Sequence, residues 1–263
     1  MNIWPHVTIC QIMDRVNIGF VGGCAITQHS VSRQNRFYSV FQKKVTDHKM
    51  FRPVFSFASY SHYQYLAESC IEVLSKNKLD LLIVHLRPQP FYILSKLIIK
   101  YLDETKGKSF YLNPLLFGKN IKLKPEAKLA LRFDEDLHKP MFMDINILLG
   151  NIFKLNSKAS ARIYEEITKV HFQCQQYNVK LAVLGIPHQP YSKIGSSNSK
   201  KLNWFLKDKL QKNDIQYFDC FNEMKKPECY LKDKLHFSSK GHNVLGTVLF
   251  EGFENCYGGP INS

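Results

Sequence analysis

The 263-residue sequence predicts an α/β protein in which helices cover both faces of a parallel sheet. Two observations predict this fold class. Short apolar runs alternate with longer amphipathic stretches along the chain. Runs such as LDLLIVHL and KLAVLGI are apolar on both sides of a strand, which is typical of strands inside a covered sheet. Hydrophobic residues make up 44% of the chain, enough for one sizeable core.

The alternation predicts five strands and six helices. The strands are the apolar runs at residues 16–21, 53–57, 79–86, 180–186 and 215–218. The helices are the amphipathic stretches between and after them, at residues 36–44, 60–76, 91–102, 159–177, 199–212 and 240–250. The polar sequence GSSNSKK at 195–201 predicts a loop that ends at a helix N-cap, Ser199.

These elements form one predicted domain over residues 15–256, with an N-terminal extension at 1–14 and a tail at 257–263. Residues 105–150 interrupt the alternation, because they mix Lys, Asn, Pro and Asp with short apolar pieces. This stretch is predicted to be an insertion. It either forms a lid or contact surface, or only lengthens a surface connection.

The chain is basic, with a formal net charge of +14 and a pI of about 9.4. Such an excess is compatible with an anionic partner, whether nucleic acid, membrane surface or glycan. The lysines are scattered in singles and pairs, however, and this favours a solvated basic surface over a dedicated patch. We therefore expect no nucleic-acid partner. Nothing in the sequence indicates an oligomeric state.

Seven cysteines at irregular spacing, without a Cys-x-x-Cys pair, argue against a disulfide framework and for a reducing compartment. The first residues, MNIWPHVTICQIMDR, lack the basic and apolar regions of a signal peptide. No stretch reaches the roughly 18 apolar residues of a membrane span. We expect a soluble, cytoplasmic protein.

Reactive groups in an open parallel sheet lie where strands end at the carboxyl edge. After the first predicted strand come Gly22 and Gly23, which permit a sharp turn and bring backbone N–H groups close to a ligand, and then Cys24 at a helix start. A thiol there can have a lowered pKa and act as a nucleophile. The alternative is a small buried cysteine that only fills space.

A second reactive group comes from the C-terminal sequence LKDKLHFSSKGHNVLG. Asp233 and His236 are three residues apart, so the carboxylate can orient the imidazole while the far ring nitrogen takes a proton from a nucleophile. Asp-x-x-His recurs by chance. Here, however, it follows the last predicted strand and directly precedes the terminal helix.

With this block, the chain resembles the SGNH hydrolases, or GDSL esterases, over roughly residues 15 to 252. DKLHFSSKGHNVLG carries the most specific match, and LAVLGIP, IQYFDCF and RFYSVFQKKV follow in family order. The resemblance implies a flavodoxin-like three-layer α/β/α sandwich with five parallel strands and a shallow active site.

The resemblance also implies roles for individual residues. Cys24 takes the place of the nucleophilic serine, while Asp233 and His236 match unchanged. The oxyanion-hole glycine falls at Ser61, or less well at Ala58, and the family's asparagine corresponds to Gln89. An active enzyme would form an acyl-enzyme on Cys24, with the oxyanion held by the N–H groups of Cys24 and Ser61 and by the Gln89 amide.

The substrate would be a small-molecule or glycan acyl ester. A degenerate member would instead bind a glycan or acylated ligand without hydrolysing it. Arg87, at the end of the third predicted strand, either binds an anionic group of the substrate beside Gly23 or forms a surface ion pair. His85 is expected to be a hydrogen-bonded structural histidine.

The sequence predicts no metal and no cofactor. His171 and Cys174 stand at helical spacing, and His236 and His242 are near the predicted site, but neither pair belongs to a recognisable set of three or four ligands. No phosphate-binding glycine loop is present in the sequence.

Overall fold

The computed structural model describes residues 15–27, 30–48, 50–60, 63–87, 110–112, 121–123, 148, 155–190, 192–232 and 236–257. Within these ranges five parallel strands form one sheet, as the sequence predicts. They are β1 (Val16–Gly22), β2 (Pro53–Ser59), β3 (Leu81–His85), β6 (Lys180–Leu184) and β7 (Gln216–Phe218). A separate antiparallel pair, β4 (Phe110–Leu112) and β5 (Ile121–Leu123), lies in the predicted insertion.

The strand order β2-β1-β3-β6-β7 reverses the direction of the chain across the sheet. From β1 the chain moves to β2 on one side, then crosses to β3 on the other. The register pairs Gly22 with Ser59 and Val21 with Val84, so β1, β2 and β3 end at the same level. In parallel sheets, such a reversal leaves a crevice at the carboxyl edge, where ligands bind.

Helices cover both faces of the sheet. They are α1 (Cys24–Thr27), α2 (Phe37–Asp47), α3 (Leu66–Lys76), α4 (Leu155–Gln176), α5 (Lys193–Gln211) and α6 (Ser239–Tyr257). Apolar side chains of α3, α4 and α5 pack on one face, and those of α2 and α6 pack on the other. The result is the three-layer sandwich that the resemblance implies.

The periodicity of the helices explains which face each one buries. In α3 the buried side chains Leu66, Cys70, Val73 and Leu74 recur at the three- and four-residue spacing of one helical face. On the other side of the sheet, α2 and α6 pack so closely that a Cβ on Gly246 would lie 2.6 Å from the carbonyl oxygen of Phe37. The absence of a side chain at this position lets the two backbones approach.

The predicted polar loop at 195–201 is wrong, because these residues belong to α5. The helix begins at Lys193, and the Ser192 side chain caps it by accepting a hydrogen bond from the Gly195 N–H at 2.7 Å. Ser196 and Ser199 are buried and hydrogen-bond Gln189 in the loop after β6. These polar side chains are buried and hydrogen-bonded, so the prediction of an exposed loop from their polar composition was wrong.

The helix predicted at 60–76 begins later, at Leu66, after a 3-10 turn over Tyr63–Tyr65. The helix predicted at 91–102, both terminal segments and most of the 105–150 insertion lie outside the described residues, so these assignments and the domain limits stay predictions. No helix in the described ranges is long and apolar enough to cross a membrane.

Candidate active site

The segments that follow β1 and β2 meet at the carboxyl edge of the sheet. The Tyr60 N–H, directly after β2, donates to the carbonyl oxygen of Gly22 at 3.1 Å. After Gly23 the chain enters α1, with Cys24 as its first residue and the Ile26 N–H bound to the Gly23 carbonyl at 3.0 Å. The predicted helix start at Cys24 is therefore confirmed, and the helix is a single turn.

Arg87 connects the end of β3 to both of these segments. Its side chain passes directly over Gly23, where an added Cβ would lie 2.2 Å from Nε. Beyond Gly23, Nη1 donates to the Tyr60 carbonyl oxygen at 2.7 Å, and Cζ lies 5.8 Å from the centroid of the Tyr60 ring. The guanidinium is thus brought to the loop that carries Cys24, while its predicted role in substrate binding stays a prediction.

Two tyrosines hold this arrangement, and sequence reasoning missed both. Tyr63 Oη accepts from the Arg87 N–H at 2.7 Å and donates to the Arg87 carbonyl at 2.5 Å. Tyr60 Oη donates to the His85 carbonyl at 3.1 Å. Burial raises the pKa of both phenols, so they remain neutral and can donate. A signal was available, since the tyrosines follow directly after a strand at the predicted carboxyl edge.

The C-terminal block reaches the same edge. Tyr230 and Phe237 form a short antiparallel bridge, and the Leu231 N–H donates to the His236 carbonyl at 2.8 Å. His236 itself is half-buried. The ring of Phe237, its neighbour, lies edge-on to His85 at the end of β3, with 6.1 Å between the centroids. This contact brings the segment that carries His236 to the end of β3.

Beneath this edge lie two buried histidines, His85 and His242. The rings of Phe37 and Phe237 contact both of them, and the Phe37 ring stacks on His242 at an interplanar angle of 4°. The Phe37 N–H donates to Nδ1 of His242 at 3.3 Å. Within the described ranges, neither nitrogen of His85 nor Nε2 of His242 has a hydrogen-bond partner.

The prediction of a hydrogen-bonded His85 ring is wrong for the described part of the chain, because both ring nitrogens are buried without a partner there. Burial lowers the pKa of His85 to about 3, helped by the nearby His242 and Arg87. Burial also lowers the pKa of His242 to about 4, with a smaller contribution from Arg36. Both rings are neutral at neutral pH.

Solved structures of known proteins resemble the chain over most of its length. The lipase Lip_vut3 from a goat rumen metagenome matches with a TM-score of 0.56 at 11% identity, covering 90% of this chain and 97% of its own. The lipase/acylhydrolase from Enterococcus faecalis matches with a TM-score of 0.54 at 11% identity, covering 92% and 96%. A lipolytic protein of the G-D-S-L family from Desulfitobacterium hafniense DCB-2 matches with a TM-score of 0.51 at 9% identity, covering 90% and 99%.

The chain has the SGNH-hydrolase fold. At these identities the likeness concerns the fold, and neither the family models nor the curated proteins give a match. In open α/β sheets, ligands bind outside the carboxyl ends of the strands. In this chain that edge carries Gly23, Arg87 and the segment of His236.

Part of the predicted SGNH site is open to comparison with the structure. Gly23 and Arg87 lie at one edge, together with the backbone of Cys24, and Phe237, the neighbour of His236, contacts His85 at the end of β3. Outside the described residues lie the Cys24 side chain, Asp233, Ser61 and Gln89. Their predicted roles, and the distance between the thiol and the imidazole, stay predictions. In the described part of the chain, no group of three His, Cys, Asp or Glu side chains could hold a metal ion.

Proposed function

We propose that this SGNH-fold chain cleaves or transfers acyl esters through a covalent acyl-enzyme on Cys24. The observation that carries the proposal is the meeting of three loops at one edge: Arg87 lies over Gly23, directly before Cys24, and binds the Tyr60 carbonyl. The segment that carries His236 comes to this edge through the contact of Phe237 with His85. The lipase and acylhydrolase named among the structural neighbours support ester chemistry at such an edge.

The proposed reaction uses the thiol as nucleophile and the imidazole as base. His236 takes the proton from Cys24 Sγ as the sulfur attacks the acyl carbon, and the carbonyl electron pair moves to oxygen. When the intermediate collapses, the C–O bond breaks and the alcohol leaves with the proton from His236. Water, deprotonated by His236, then attacks the thioester, releasing the acid and restoring the thiol. Asp233 orients the imidazole throughout.

The oxyanion is held by the backbone N–H groups of Cys24 and Ser61 and by the Gln89 amide. Each such donor is worth on the order of 3 kcal/mol in the transition state. Gln89 is one methylene longer than the asparagine of the family. For its amide to reach the same oxyanion, the backbone of the loop after β3 must lie further from the oxyanion by about that length. The contacts of Arg87 with Tyr60 and Tyr63 fix the start of that loop.

Arg87 is proposed to select an anionic substrate. Its guanidinium is a rigid planar donor that suits a carboxylate or phosphate, and its place over Gly23, the residue before Cys24, supports this role. The formal net charge of +14 favours the approach of such a substrate. The substrate class proposed is an anionic small-molecule or glycan ester.

The test measures turnover of short p-nitrophenyl esters and acyl thioesters. Cys24→Ala and His236→Ala are each expected to lower kcat/KM at least about a hundredfold, because each removes a group that acts in the transition state. Cys256→Ala is the matched control, because this exposed thiol lies beside Gln216 at the opposite edge of the sheet. The assignment would be ruled out if both active-site variants kept their activity, or if only the control lost it.

The second candidate is a binding protein without hydrolysis. It is favoured by the three altered family positions, where this chain has Cys24, Ser61 and Gln89. It predicts no turnover over a broad ester panel, together with saturable binding of a glycan or acylated ligand that Arg87→Ala weakens. Turnover that depends on Cys24 would exclude it.

A further inference from the structure

The outer face of α5 is a basic surface with an indole at its centre. Trp204 is 75% exposed, more than any other large hydrophobic side chain in the described residues. Lys200 and Lys201 lie one turn before it and Lys207 one turn after, at the three- and four-residue spacings that share one helical face. We refer to these four residues as the Trp204 face.

Most of the other charged residues of α5 are also positive. Its exposed cations are Lys193, Lys200, Lys201, Lys207 and Lys209, and the exposed Lys212 follows directly after the helix. Asp208, the helix's one acidic residue, stands four residues after Trp204 and so lies on the same side of the helix, where its carboxylate pairs with Lys212 at 2.9 Å. The three lysines of the Trp204 face therefore have no acidic partner within their own helix. The lysines of the Trp204 face are separated in the sequence, but the helical repeat brings them to one side of α5.

The Trp204 face is held rigidly from below. On the inner side of α5, Leu202, Leu206 and Leu210 are buried in the core. Asn203 is also buried, and it accepts from the Ile186 N–H at 2.9 Å and from Tyr217 Oη at 2.6 Å. The helix is therefore fixed to the sheet, and its outer side chains stand on a firm support. The Trp204 indole is exposed, whereas the preceding residue, Asn203, is buried and hydrogen-bonded to Ile186 and Tyr217.

From this arrangement we infer that the Trp204 face docks the protein on an anionic lipid bilayer. Lysine side chains reach toward acidic headgroups while their methylene stems lie against apolar surface, and an indole prefers the interface between headgroup and acyl chain. Because the inner face of α5 is committed to the core, the contact is shallow, at headgroup depth. It differs from the insertion of a free amphipathic helix.

Nucleic acid is the competing anionic partner, and the chemistry of the face favours lipid. All the cations of α5 are lysines, which act as point charges, whereas the planar fork of arginine is the preferred reader of bases and phosphates. Binding of single strands also uses a groove with successive aromatic platforms. The Trp204 face has one aromatic side chain on the outside of a helix. The inference does not depend on the proposed ester chemistry.

The test is co-sedimentation of the full chain with vesicles of phosphatidylcholine alone or mixed with phosphatidylserine. We expect binding only to the mixed vesicles. Lys200→Glu with Lys207→Glu should weaken it at least about tenfold, because each lysine near an anionic surface contributes to the attraction. The matched control, Lys43→Glu with Lys78→Glu, changes the net charge equally at exposed sites on α2 and before β3, and it should bind nearly as the parent does.

A spectroscopic measurement locates the contact. The sequence has two tryptophans, so Trp4→Phe leaves Trp204 as the sole indole. Its emission should shift to shorter wavelength with the mixed vesicles and stay unchanged with phosphatidylcholine alone. Equal weakening by both double variants, absence of binding to the mixed vesicles, or tighter binding to duplex or single-stranded DNA that Lys200→Glu with Lys207→Glu abolishes would each overturn the inference.

Discussion

At the residue scale, Gly23 and Arg87 depend on each other. Glycine is required at position 23 because the Arg87 side chain occupies the space of a Cβ, with Nε 2.2 Å from that position. The same side chain reaches on to the Tyr60 carbonyl. Sequence reasoning put both residues at the predicted site but could not find their contact, because the two positions meet only through the parallel pairing of β1 and β3.

This dependence predicts the behaviour of Gly23→Ala. The new methyl group must displace Arg87 from Tyr60, so the free energy of unfolding should fall by about 1–3 kcal/mol. In an Arg87→Ala background the same substitution should cost much less, because the space is then empty. Urea unfolding of the four proteins measures the coupling. An equal cost in both backgrounds would show that the contact does not constrain position 23.

At the element scale, α5 determines the course of the loop after β6. Asn203 holds both backbone groups of Ile186, since its Nδ2 donates to the Ile186 carbonyl at 2.7 Å in addition to the bond from the Ile186 N–H. Gln189 is held in the same way by Ser196 and Ser199. The sequence predicted the strand and the later part of the helix. It could not predict that the polar stretch between them is helical and turns its serines inward, because side-chain hydrogen bonds leave no periodic signal.

Asn203→Ala should destabilise the fold strongly. It removes the hydrogen bonds that Asn203 makes to three buried groups, the Ile186 N–H, the Ile186 carbonyl and Tyr217 Oη, and a buried group left unpaired costs on the order of 1–3 kcal/mol. Asn213→Ala is the control, because Asn213 makes its hydrogen bonds at the surface. Thermal unfolding should show a large drop for Asn203→Ala and a small one for the control. Similar drops would contradict the assignment of the network.

At the scale of the whole molecule, the two buried histidines make stability depend on pH. In the unfolded chain they titrate near 6.5, whereas burial lowers the pKa of His85 to about 3 and that of His242 to about 4 in the folded state. Between these values only the unfolded chain binds the protons. Their contribution to stability is therefore fully present above pH 6.5 and is lost as the pH falls through about 4 for His242 and about 3 for His85.

His85→Phe tests this dependence, because a phenyl ring replaces the imidazole among Phe37 and Phe237 without a titrating group. The free energies of unfolding of the parent and the variant should run parallel above pH 6.5. Below it they should diverge by roughly 1.4 kcal/mol per pH unit for one histidine, with the parent losing stability faster. Parallel curves down to pH 4 would mean that His85 does not carry the effect.

The whole architecture was more predictable than its details. The five strands could be predicted from the apolar runs, and the SGNH-like fold from the block around His236, because each of these signals lies within a short continuous stretch of sequence. Tyr60, Tyr63 and the pair of His85 and His242 were not predicted to contact each other or Arg87. Their contacts join segments far apart in sequence, and periodicity carries no information about such pairs.

The pairing of α2 with α6 has a consequence for synthesis on the ribosome. The Phe37 N–H finds its acceptor in a residue 205 positions downstream, and Phe41 is buried in the same core as Leu245 and Leu249 of α6. The aromatic side chains Phe37 and Tyr38 of α2 also pack on Phe20 of β1, which is synthesised before them. Phe41, which contacts Phe253 of α6, gains that partner only after α6 has been synthesised, so we expect this part of the core to close late.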